Sequence, residues 1–251
     1  LTHAPVASSS SAVGAWTRTS GASPYNPLQA DLCLELVCDL LERNPTLRGA
    51  DIGIVTPYEA QVRLLQRMLA AGESLATGGD AMASTVPQLS EDALDTLAAM
   101  DARRASELSA IEVHTVDGFE GREKPVMVFS TVKASGGSVE GTAALHWARE
   151  RPSEAAAARL ESLPGERGGF IGFLADRRRM NVALTRAQRQ LFVVGNLETL
   201  LCARLGDHGA EHIECSAVHV VRKYARWLLA HGHVVDVQQV RDRQLEGWRR
   251  R

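Results

Sequence analysis

The sequence predicts an α/β fold in which a mainly parallel sheet carries helices on both faces. Three short runs rich in valine and isoleucine have the length and composition of buried strands: 51-DIGIV-55, 111-IEVHTV-116 and 126-VMVFSTVK-133. Helical patterns alternate with such strands along the chain, which is typical of parallel sheets. A chain of 251 residues can bury a sizeable core, so we expect one domain with elaborations, or at most two.

The N-terminal part combines a polar segment with a well-marked helix. Residues 1–25 are rich in Ser, Ala, Gly and Thr, a composition that buries too little apolar surface to order itself, so we predict a flexible linker. Asn26 is a favourable N-cap and Pro27 suits the first helical position. A helix is therefore predicted to begin here and to end near Asn44.

The middle of the chain follows a strand, turn and helix order. The strand at 51–55 leads through Thr56-Pro57 into a helix that reaches about residue 71. A further helix is predicted from about 91 to 108, and the glycine-punctuated loop 117–125 joins the next two strands.

The C-terminal part contains an insertion and an arginine-rich helix. Residues 134–169 interrupt the α/β pattern and are predicted to be an insertion, so the main domain spans 26–200. A helix at 176–188 precedes a strand at 190–195, and residues 201–251 are predicted to form a helical extension.

The composition excludes several classes of protein. The formal net charge of −2 indicates that the surface as a whole is not basic enough to bind polyanions such as nucleic acids. A nucleic-acid site would therefore be a local basic region. No apolar run approaches the roughly 18 residues of a membrane helix. No signal peptide is readable, so we expect an intracellular protein without a membrane span. The chain begins with Leu1 rather than Met, which indicates an excerpt from a longer protein.

The four cysteines indicate reduced thiols rather than a disulfide framework, because no C-x-x-C pair occurs. One set of residues has a spacing that zinc could use: Cys202, His208, His212 and Cys215. Gly206 and Gly209 interrupt the helix that would bring the two histidines together. These residues are interpreted as ordinary surface or core residues, and no metal site is predicted.

Ligands of open parallel sheets collect at the carboxyl ends of the strands. We therefore predict one site at this edge, formed by 56-TPY-58, the loop 117–124 and the arginine helix. Five arginines lie in that helix and its exit: Arg177, Arg178, Arg179, Arg186 and Arg189. A solvated charged face would explain most of them. Arg186, beside the start of a strand, needs a partner or an anion because unpaired burial costs several kcal/mol.

The loop 117–124 permits two interpretations. Its glycines let the backbone approach a ligand closely, and a plain structural turn would have the same composition. The chain contains neither G-x-x-x-x-G-K-[ST] nor G-x-G-x-x-G, so it cannot cradle the phosphates of a nucleotide by itself in either familiar way.

Taken together, three segments resemble the C-terminal motifs of superfamily 1 helicases: 52-IGIVTPYEAQ-61, 113-VHTVDGFEGREK-124 and 170-FIGFLADRRRMNVALTRAQRQLFVVGN-196. Their order and spacing look most like the nonsense-mediated-decay helicase and the senataxin-like helicases. The segment 23-SPYNPLQA-30 is similar to the helix entry of that family, Ser-x-x-Asn-x-x-Glu-Ala. The resemblance covers roughly residues 14 to 200 and implies a second RecA-like domain, which has the P-loop NTPase fold without its own phosphate loop.

In such helicases ATP and Mg²⁺ bind between two RecA-like domains and are held mainly by the first. The resemblance implies that Arg186 is the arginine finger, which acts at the γ-phosphate and contributes on the order of 10³ to 10⁵ in rate. It implies that Glu123 contacts the ribose side of the nucleotide and that Gly121 and Arg122 shape this loop. Arg178 and Arg179 match the family's arginine pair. One of the two is expected to brace the helix of Arg186 and the other, assigned to Arg179, to approach the nucleotide.

The same resemblance implies that single-stranded RNA or DNA runs past Thr56, Tyr58 and Thr115. Hydroxyls and backbone amides at strand ends suit phosphate contacts that carry no sequence information. Three positions depart from the family pattern: Glu120 stands for a usual Gln, Pro125 for an acidic or small polar residue, and Arg177 for a Pro. A negative charge at position 120 is unfavourable beside a phosphate backbone.

These observations predict the C-terminal half of an ATP-dependent RNA or DNA helicase. Its partner would be the N-terminal RecA-like domain of the same protein, and the isolated chain would be inactive. The alternative is a divergent RecA-like fragment that binds nucleic acid or protein without ATPase activity. Arg186 and Glu123 favour the helicase, because a scaffold needs neither.

Overall fold

The computed structural model describes residues 2–8, 17–18, 23–76, 89–134, 148, 150–156, 158, 176–201 and 217–237. The chain divides into two compact units. The first contains Leu1–Thr2, Trp16–Val132 and Val182–Leu191, and the second contains His3–Ala15, Lys133–Asn181 and Phe192–Arg251.

The described elements are numbered in chain order. The strands are β1 Thr2–Ser8, β2 Thr17–Arg18, β3 Pro24–Tyr25, β4 Ile52–Thr56, β5 Glu112–Thr115, β6 Lys124–Ser130, β7 Ala187–Val194 and β8 Val234–Asp236. The helices are α1 Pro27–Arg43, α2 Glu59–Ala76, α3 Glu91–Ala98, α4 Ala102–Ala105, α5 Arg177–Thr185, α6 Leu197–Leu201 and α7 Ala217–Ala230. Short 3-10 turns occupy Gly49–Asp51, Leu108–Ala110 and Asp117–Phe119.

The sheet of the first unit has β4 at its centre, in the order β5-β4-β6-β7. β4 pairs in parallel with both neighbours, so that Ile54 is level with Val113 on one side and Val128 on the other. Every residue of β4 is buried, as expected for a strand covered on both faces. The sheet therefore confirms the α/β class and the parallel strands that the sequence predicts.

Helix α1 begins and ends where its sequence signals indicate. The side chain of Asn26 accepts a hydrogen bond from the Gln29 N–H at 3.1 Å, which is an N-cap in front of Pro27. At the other end the Arg104 guanidinium donates to the carbonyls of Leu41, at 2.6 Å, and of Leu47, at 2.7 Å. Arg104 thus satisfies the Leu41 carbonyl, which the end of the helix leaves without a partner, and ties the helix end to the segment that follows it.

The predicted single helix from about 91 to 108 is wrong. The structure has α3, then α4, then the turn at Leu108–Ala110. The break occurs at Asp101, whose carboxylate accepts from the Arg103 N–H at 2.8 Å and so starts a new helix. A strong N-cap residue inside an otherwise helical pattern ends one helix and begins another.

In the second unit, β1 pairs with β8 in parallel, with Val6 level with Val234. Residues Thr2–Ser8 were expected within a linker at 1–25, and the structure instead places them in a strand. The expectation counted only apolar burial, whereas a strand that joins a sheet also satisfies its backbone hydrogen bonds. Helix α7 lies in the predicted C-terminal extension, to which β8 adds an unpredicted strand.

Several sequence predictions fall outside the described residues. They include most of the insertion at 134–169 and the four residues whose spacing could suit zinc. Within the part of the chain that the structure describes, no group of three or more His, Cys, Asp or Glu could hold a metal ion. Among the same residues, no helix combines the length and apolar character needed to cross a membrane.

Candidate functional site

Arg186 lies in the short link between α5 and β7. The sequence predicted a helix through residue 188, but α5 ends at Thr185 and β7 begins at Ala187. The prediction was wrong here because the backbone after Thr185 joins the sheet instead of continuing the helix. The carbonyl of Arg186 accepts from the Lys124 N–H at 3.2 Å, which ties the residue to the start of β6.

The Arg186 side chain is half-buried and only partly satisfied. Its Nη2 donates to the Thr185 hydroxyl at 2.9 Å. Its Nε is buried and has no hydrogen-bond partner among the described residues. A buried donor without an acceptor costs about 1–3 kcal/mol, and more when it is charged. The guanidinium is therefore held in a place where an additional acceptor would stabilise it.

Glu123 directly precedes Lys124, so the same backbone bond brings it close to Arg186 in the fold. Its side chain is exposed. Two residues earlier, Gly121 has φ 76°, a conformation that favours glycine, and a methyl group there would meet nothing within 4 Å. Gly121 is thus required for the turn of the backbone and not for close packing.

A group of charged side chains fixes the end of this loop. Lys124 Nζ donates to Glu112 Oε1 at 2.7 Å and to the Ala50 carbonyl at 2.7 Å. Arg122 Nη1 donates to Glu112 Oε2 at 3.3 Å and lies 3.3 Å from His114 Nε2. The hydrogen bond from Lys124 is the main cause that lowers the pKa of Glu112. Arg122 is therefore engaged within the protein, with Glu112 and His114.

Thr56 and Thr115 lie side by side at the carboxyl ends of β4 and β5. The Thr56 carbonyl accepts from the Val116 N–H at 3.1 Å, and the Thr115 hydroxyl accepts from the Gly118 N–H at 3.1 Å. Nearby, the Tyr58 carbonyl accepts the first hydrogen bonds of α2, from the Gln61 and Val62 N–H groups. The structure thus brings the three predicted nucleic-acid residues to one place.

Their exposure differs. Thr56 has a relative exposure of 0%, and its buried hydroxyl has no hydrogen-bond partner among the described residues. Tyr58 and Thr115 are both half-buried and so present some surface. In this conformation the side chains of Tyr58 and Thr115 are partly accessible, whereas that of Thr56 is not.

The predicted site residues occupy two opposite edges of the sheet, so the prediction of one edge was wrong. Val126 is level with Ile52, the first residue of β4, and Lys124 comes two residues before it. Glu123 and Arg186 therefore lie at the amino ends of the strands, which we call the amino edge. Thr56, Tyr58 and Thr115 lie at the other end, the carboxyl edge.

The loop between β5 and β6 explains the separation, because it crosses from one edge to the other. Phe119 in this loop is fully buried. A methyl group on Gly53 of β4 would lie 3.0 Å from the Phe119 ring and 2.7 Å from Met127 Sδ. The loop is thus packed across β4 where glycine leaves room for the ring. Sequence spacing alone shows that Gly121 to Lys124 follow Thr115. It does not show which edge of the sheet these residues reach.

Arg179 lies in the second unit, whereas Arg186 lies in the first. Asp176 caps α5 by accepting from the Arg178 N–H at 2.9 Å and the Arg179 N–H at 3.3 Å. Arg179 Nε also lies 3.7 Å from the Asp176 carboxylate. Arg177, Arg178 and Arg189 are exposed. Three of the five arginines are thus exposed. Arg179 is paired near the start of the helix, and Arg186 is partly buried.

A buried network of neutral amides, which the sequence did not predict, holds the carboxyl edge. Gln61 Oε1 accepts from the Asn26 N–H at 2.8 Å, and Gln61 Nε2 donates to the Asn26 carbonyl at 3.2 Å and to Ser130 Oγ at 3.3 Å. Gln29 Oε1 accepts from Ser130 Oγ at 3.2 Å and from the Val132 N–H at 2.7 Å. Polar residues on the buried face of α1 and α2 were the available sequence signal.

The network holds a backbone conformation that is unfavourable for valine. Val132 has φ 65°, in the left-handed region that β-branched residues rarely adopt, and such strain costs on the order of 1–3 kcal/mol. Its neighbour Thr131 is buried, and the hydroxyl has no hydrogen-bond partner among the described residues. Strained backbone and unsatisfied polar groups are concentrated at functional sites, so both features mark this edge as a candidate site.

Comparison with known proteins identifies relatives for most of the chain. Residues 7–198 match the AAA domain family. This match includes α1 to β7 and ends within α6, so α7 and β8 lie beyond it.

Three similar proteins are named as helicases. Helicase sen1 of Schizosaccharomyces pombe is 30% identical over 187 residues, which cover 73% of this chain and 7% of the relative. DNA polymerase alpha-associated DNA helicase A of Saccharomyces cerevisiae is 30% identical over 178 residues, or 71% of this chain and 16% of the relative. Probable helicase senataxin of Mus musculus is 25% identical over 184 residues, or 73% of this chain and 5% of the relative. The chain therefore spans only a small part of these proteins.

Proposed function

The chain belongs to the AAA domain family, as a C-terminal domain of the senataxin-like superfamily 1 helicases, and on this premise we propose that it completes an ATP site. Helicases of this family depend on ATP and Mg²⁺ in general. In our proposal Arg186 is the arginine finger for a nucleotide held mainly by an N-terminal RecA-like domain. Bound ATP would supply the phosphoryl group whose transfer to water drives the enzyme.

The observation that carries the proposal is the buried Nε of Arg186, which has no hydrogen-bond partner among the described residues. A guanidinium presents its donors in a fixed fork that matches phosphate oxygens. An arginine that stabilises developing charge acts best when it is already oriented, because no reorganisation is then needed during the reaction. The backbone bond to Lys124 and the contact with Thr185 supply that orientation.

Glu123 has the chemistry expected of a residue that binds ribose. Its exposed carboxylate can accept hydrogen bonds from ribose hydroxyls. Next to it, Lys124 is anchored by Glu112 and by the Ala50 carbonyl, so the backbone of Glu123 is fixed on one side. We assign the nucleotide to this amino edge, with Mg²⁺ held by the other domain.

We assign single-stranded RNA or DNA to the carboxyl edge. Tyr58 and Thr115 present an aromatic ring and a hydroxyl there, which suit base and phosphate contacts without sequence preference. In this arrangement one sheet contacts ATP at one edge and the strand at the other. The loop over Gly53 connects the two edges. We further propose an intracellular location for the protein.

The test is the substitution Arg186→Ala in the protein that joins this chain to its N-terminal RecA-like domain. Loss of the finger should lower the ATPase rate by about 10³-fold, because charge on the transferred phosphoryl group is no longer stabilised. Affinity for single-stranded RNA and DNA should stay within about twofold, since that edge is unaltered. ATPase assays with competing RNA and DNA activators would also show which strand is preferred.

Arg189→Ala is the matched control, because Arg189 is exposed on β7 and should not affect the ATPase rate. Equal loss of ATPase activity and nucleic-acid affinity in Arg186→Ala would instead show a structural role. The isolated chain should hydrolyse ATP no faster than buffer. Coding sequence upstream without a phosphate loop and a following Asp-Glu pair would refute the helicase proposal and favour a binding module.

A further inference from the structure

Three aromatic rings cluster at the end of α7, beyond the residues that match the AAA domain family. The Trp227 indole stacks on the His231 imidazole, with ring centroids 4.6 Å apart and planes 27° from parallel. His233 lies 5.3 Å from Trp227, and the two imidazoles are 6.5 Å apart at 7°. We call Trp227, His231 and His233 the ring cluster.

Backbone hydrogen bonds give the ring cluster a fixed shape. The helix ends with the His231 N–H donating to the Trp227 carbonyl at 3.1 Å, and the His233 N–H then returns to the Leu228 carbonyl at 2.8 Å. Gly232 between them has φ 70°, which allows the tight reversal. His231 Nδ1 lies 2.8 Å from the Trp227 carbonyl, so the imidazole is oriented as well.

The ring cluster lies at the surface. His231 is exposed, and Trp227 and His233 are half-buried, whereas Leu228 and Leu229 next to them are buried and anchor the helix. Aromatic rings are larger and more apolar than the residues that usually end a surface helix. An exposed, preorganised stack of rings is suited to bind another flat ring.

Basic residues lie on the same helix. Lys223 is exposed and precedes Trp227 by one helical turn. Arg222 is half-buried, and its Nε is buried without a hydrogen-bond partner among the described residues. Arg226 is already paired, since its Nε lies 2.9 Å from the carboxylate of Glu154. Lys223 is therefore the cation on the side of Trp227 that remains for an anionic ligand.

We propose that α7 and the ring cluster form a second binding site for single-stranded nucleic acid. A base would stack on the outer face of His231 and continue the stack on Trp227, and Lys223 would contact a neighbouring phosphate. Positive charge beside stacked rings is the combination that such strands require. This site goes beyond the proposed function, because its binding does not depend on Arg186 or on the two sheet edges.

The test uses the 251-residue chain and labelled oligothymidylate or oligouridylate of about 15 nucleotides, followed by fluorescence anisotropy. Trp227→Ala should weaken binding about tenfold by removing one stacking contact. Trp227→Phe keeps an aromatic ring and should stay within about threefold of the unchanged chain. His231→Ala, at an exposed position that cannot unfold a core, should weaken binding about threefold to tenfold.

An abasic sugar-phosphate oligomer of the same length serves as a second probe. It distinguishes the contribution of base stacking to affinity from the contribution of charge. Trp227→Ala should not change binding of this probe, whereas Lys223→Glu should weaken binding of both probes. Unchanged affinity of Trp227→Ala and His231→Ala for the oligonucleotides would overturn the proposal. Equal loss for probes with and without bases would also overturn it, because stacking would then play no part. This experiment measures binding and not ATPase activity. Its outcome is therefore independent of whether Arg186 is the arginine finger.

Discussion

The amino and carboxyl edges of the first unit's sheet are stabilised by different chemistry. At the amino edge, Arg122 and Lys124 share the carboxylate of Glu112, and these groups are partly exposed to water. At the carboxyl edge, Gln29 and Gln61 form neutral hydrogen bonds inside the protein. Exposed ion pairs contribute little to stability, whereas breaking a buried hydrogen-bond network leaves polar groups unsatisfied. The two edges should therefore respond very differently to substitution.

The largest effect is expected from Gln61→Ala at the carboxyl edge. The change removes a fully buried side chain and leaves the Asn26 N–H without its partner at 2.8 Å. The free energy of unfolding should fall by about 3 kcal/mol, which combines a cavity with unsatisfied polar groups. Urea unfolding of the chain measures this loss.

Gln66→Ala on the same helix is the matched control for Gln61→Ala. Gln66 is exposed, although its Nε2 donates to the Val113 carbonyl at 3.2 Å. Its replacement should cost less than about 1 kcal/mol. Similar losses for the two variants would mean that burial of the network does not set the stability of the carboxyl edge.

The difference between the edges also shows what could be predicted from sequence. Strand β4 and helix α1 carry local signals, namely a valine and isoleucine run and the Asn26-Pro27 cap, so both were predicted. The path of the loop after Thr115, from one edge of the sheet to the other, depends on Phe119 packing over Gly53. This contact joins residues far apart in the chain. No local pattern encodes such a contact, and the two edges were therefore predicted as one.

An intermediate effect is expected where the loop crosses between the edges. Gly53→Ala would place a methyl group 3.0 Å from the Phe119 ring and 2.7 Å from Met127 Sδ. Overpacking of this kind should lower the free energy of unfolding by about 1–2 kcal/mol. Because the loop leads to both edges, we also expect weaker nucleic-acid binding and a lower ATPase rate in the protein that contains both domains.

A second substitution tests whether the Phe119 ring causes the loss. Phe119→Leu shortens the side chain next to position 53, so the double variant should be more stable than the sum of the single losses predicts. A coupling of about 0.5–1 kcal/mol is expected for residues in direct contact. Strict additivity would show that Gly53 is required for some reason other than space for the ring.

The smallest effect is expected from Glu112→Gln at the amino edge. Because the hydrogen bond from Lys124 lowers the pKa of Glu112 from its ordinary 4.5, ionised Glu112 stabilises the folded state above its unfolded pKa. The pairs are partly exposed, so the loss near pH 7 should be about 0.5 kcal/mol. This loss of stability should disappear as the pH falls through the pKa that Glu112 has in the folded state, because Glu112 is then itself neutral. The loss should also become smaller in about 1 M salt.

Glu107→Gln is the control for the dependence on salt. Glu107 accepts from the Gly49 N–H at 2.8 Å, a neutral donor, so its replacement should show little dependence on salt. The ATPase rate gives an independent measure, because Lys124 also donates its backbone N–H to the Arg186 carbonyl. If Glu112 positions the amino edge, Glu112→Gln should lower that rate several-fold despite its small effect on stability. An unchanged rate, with the same loss of stability in acid as at neutral pH, would show that the ion pairs neither orient Arg186 nor stabilise the fold.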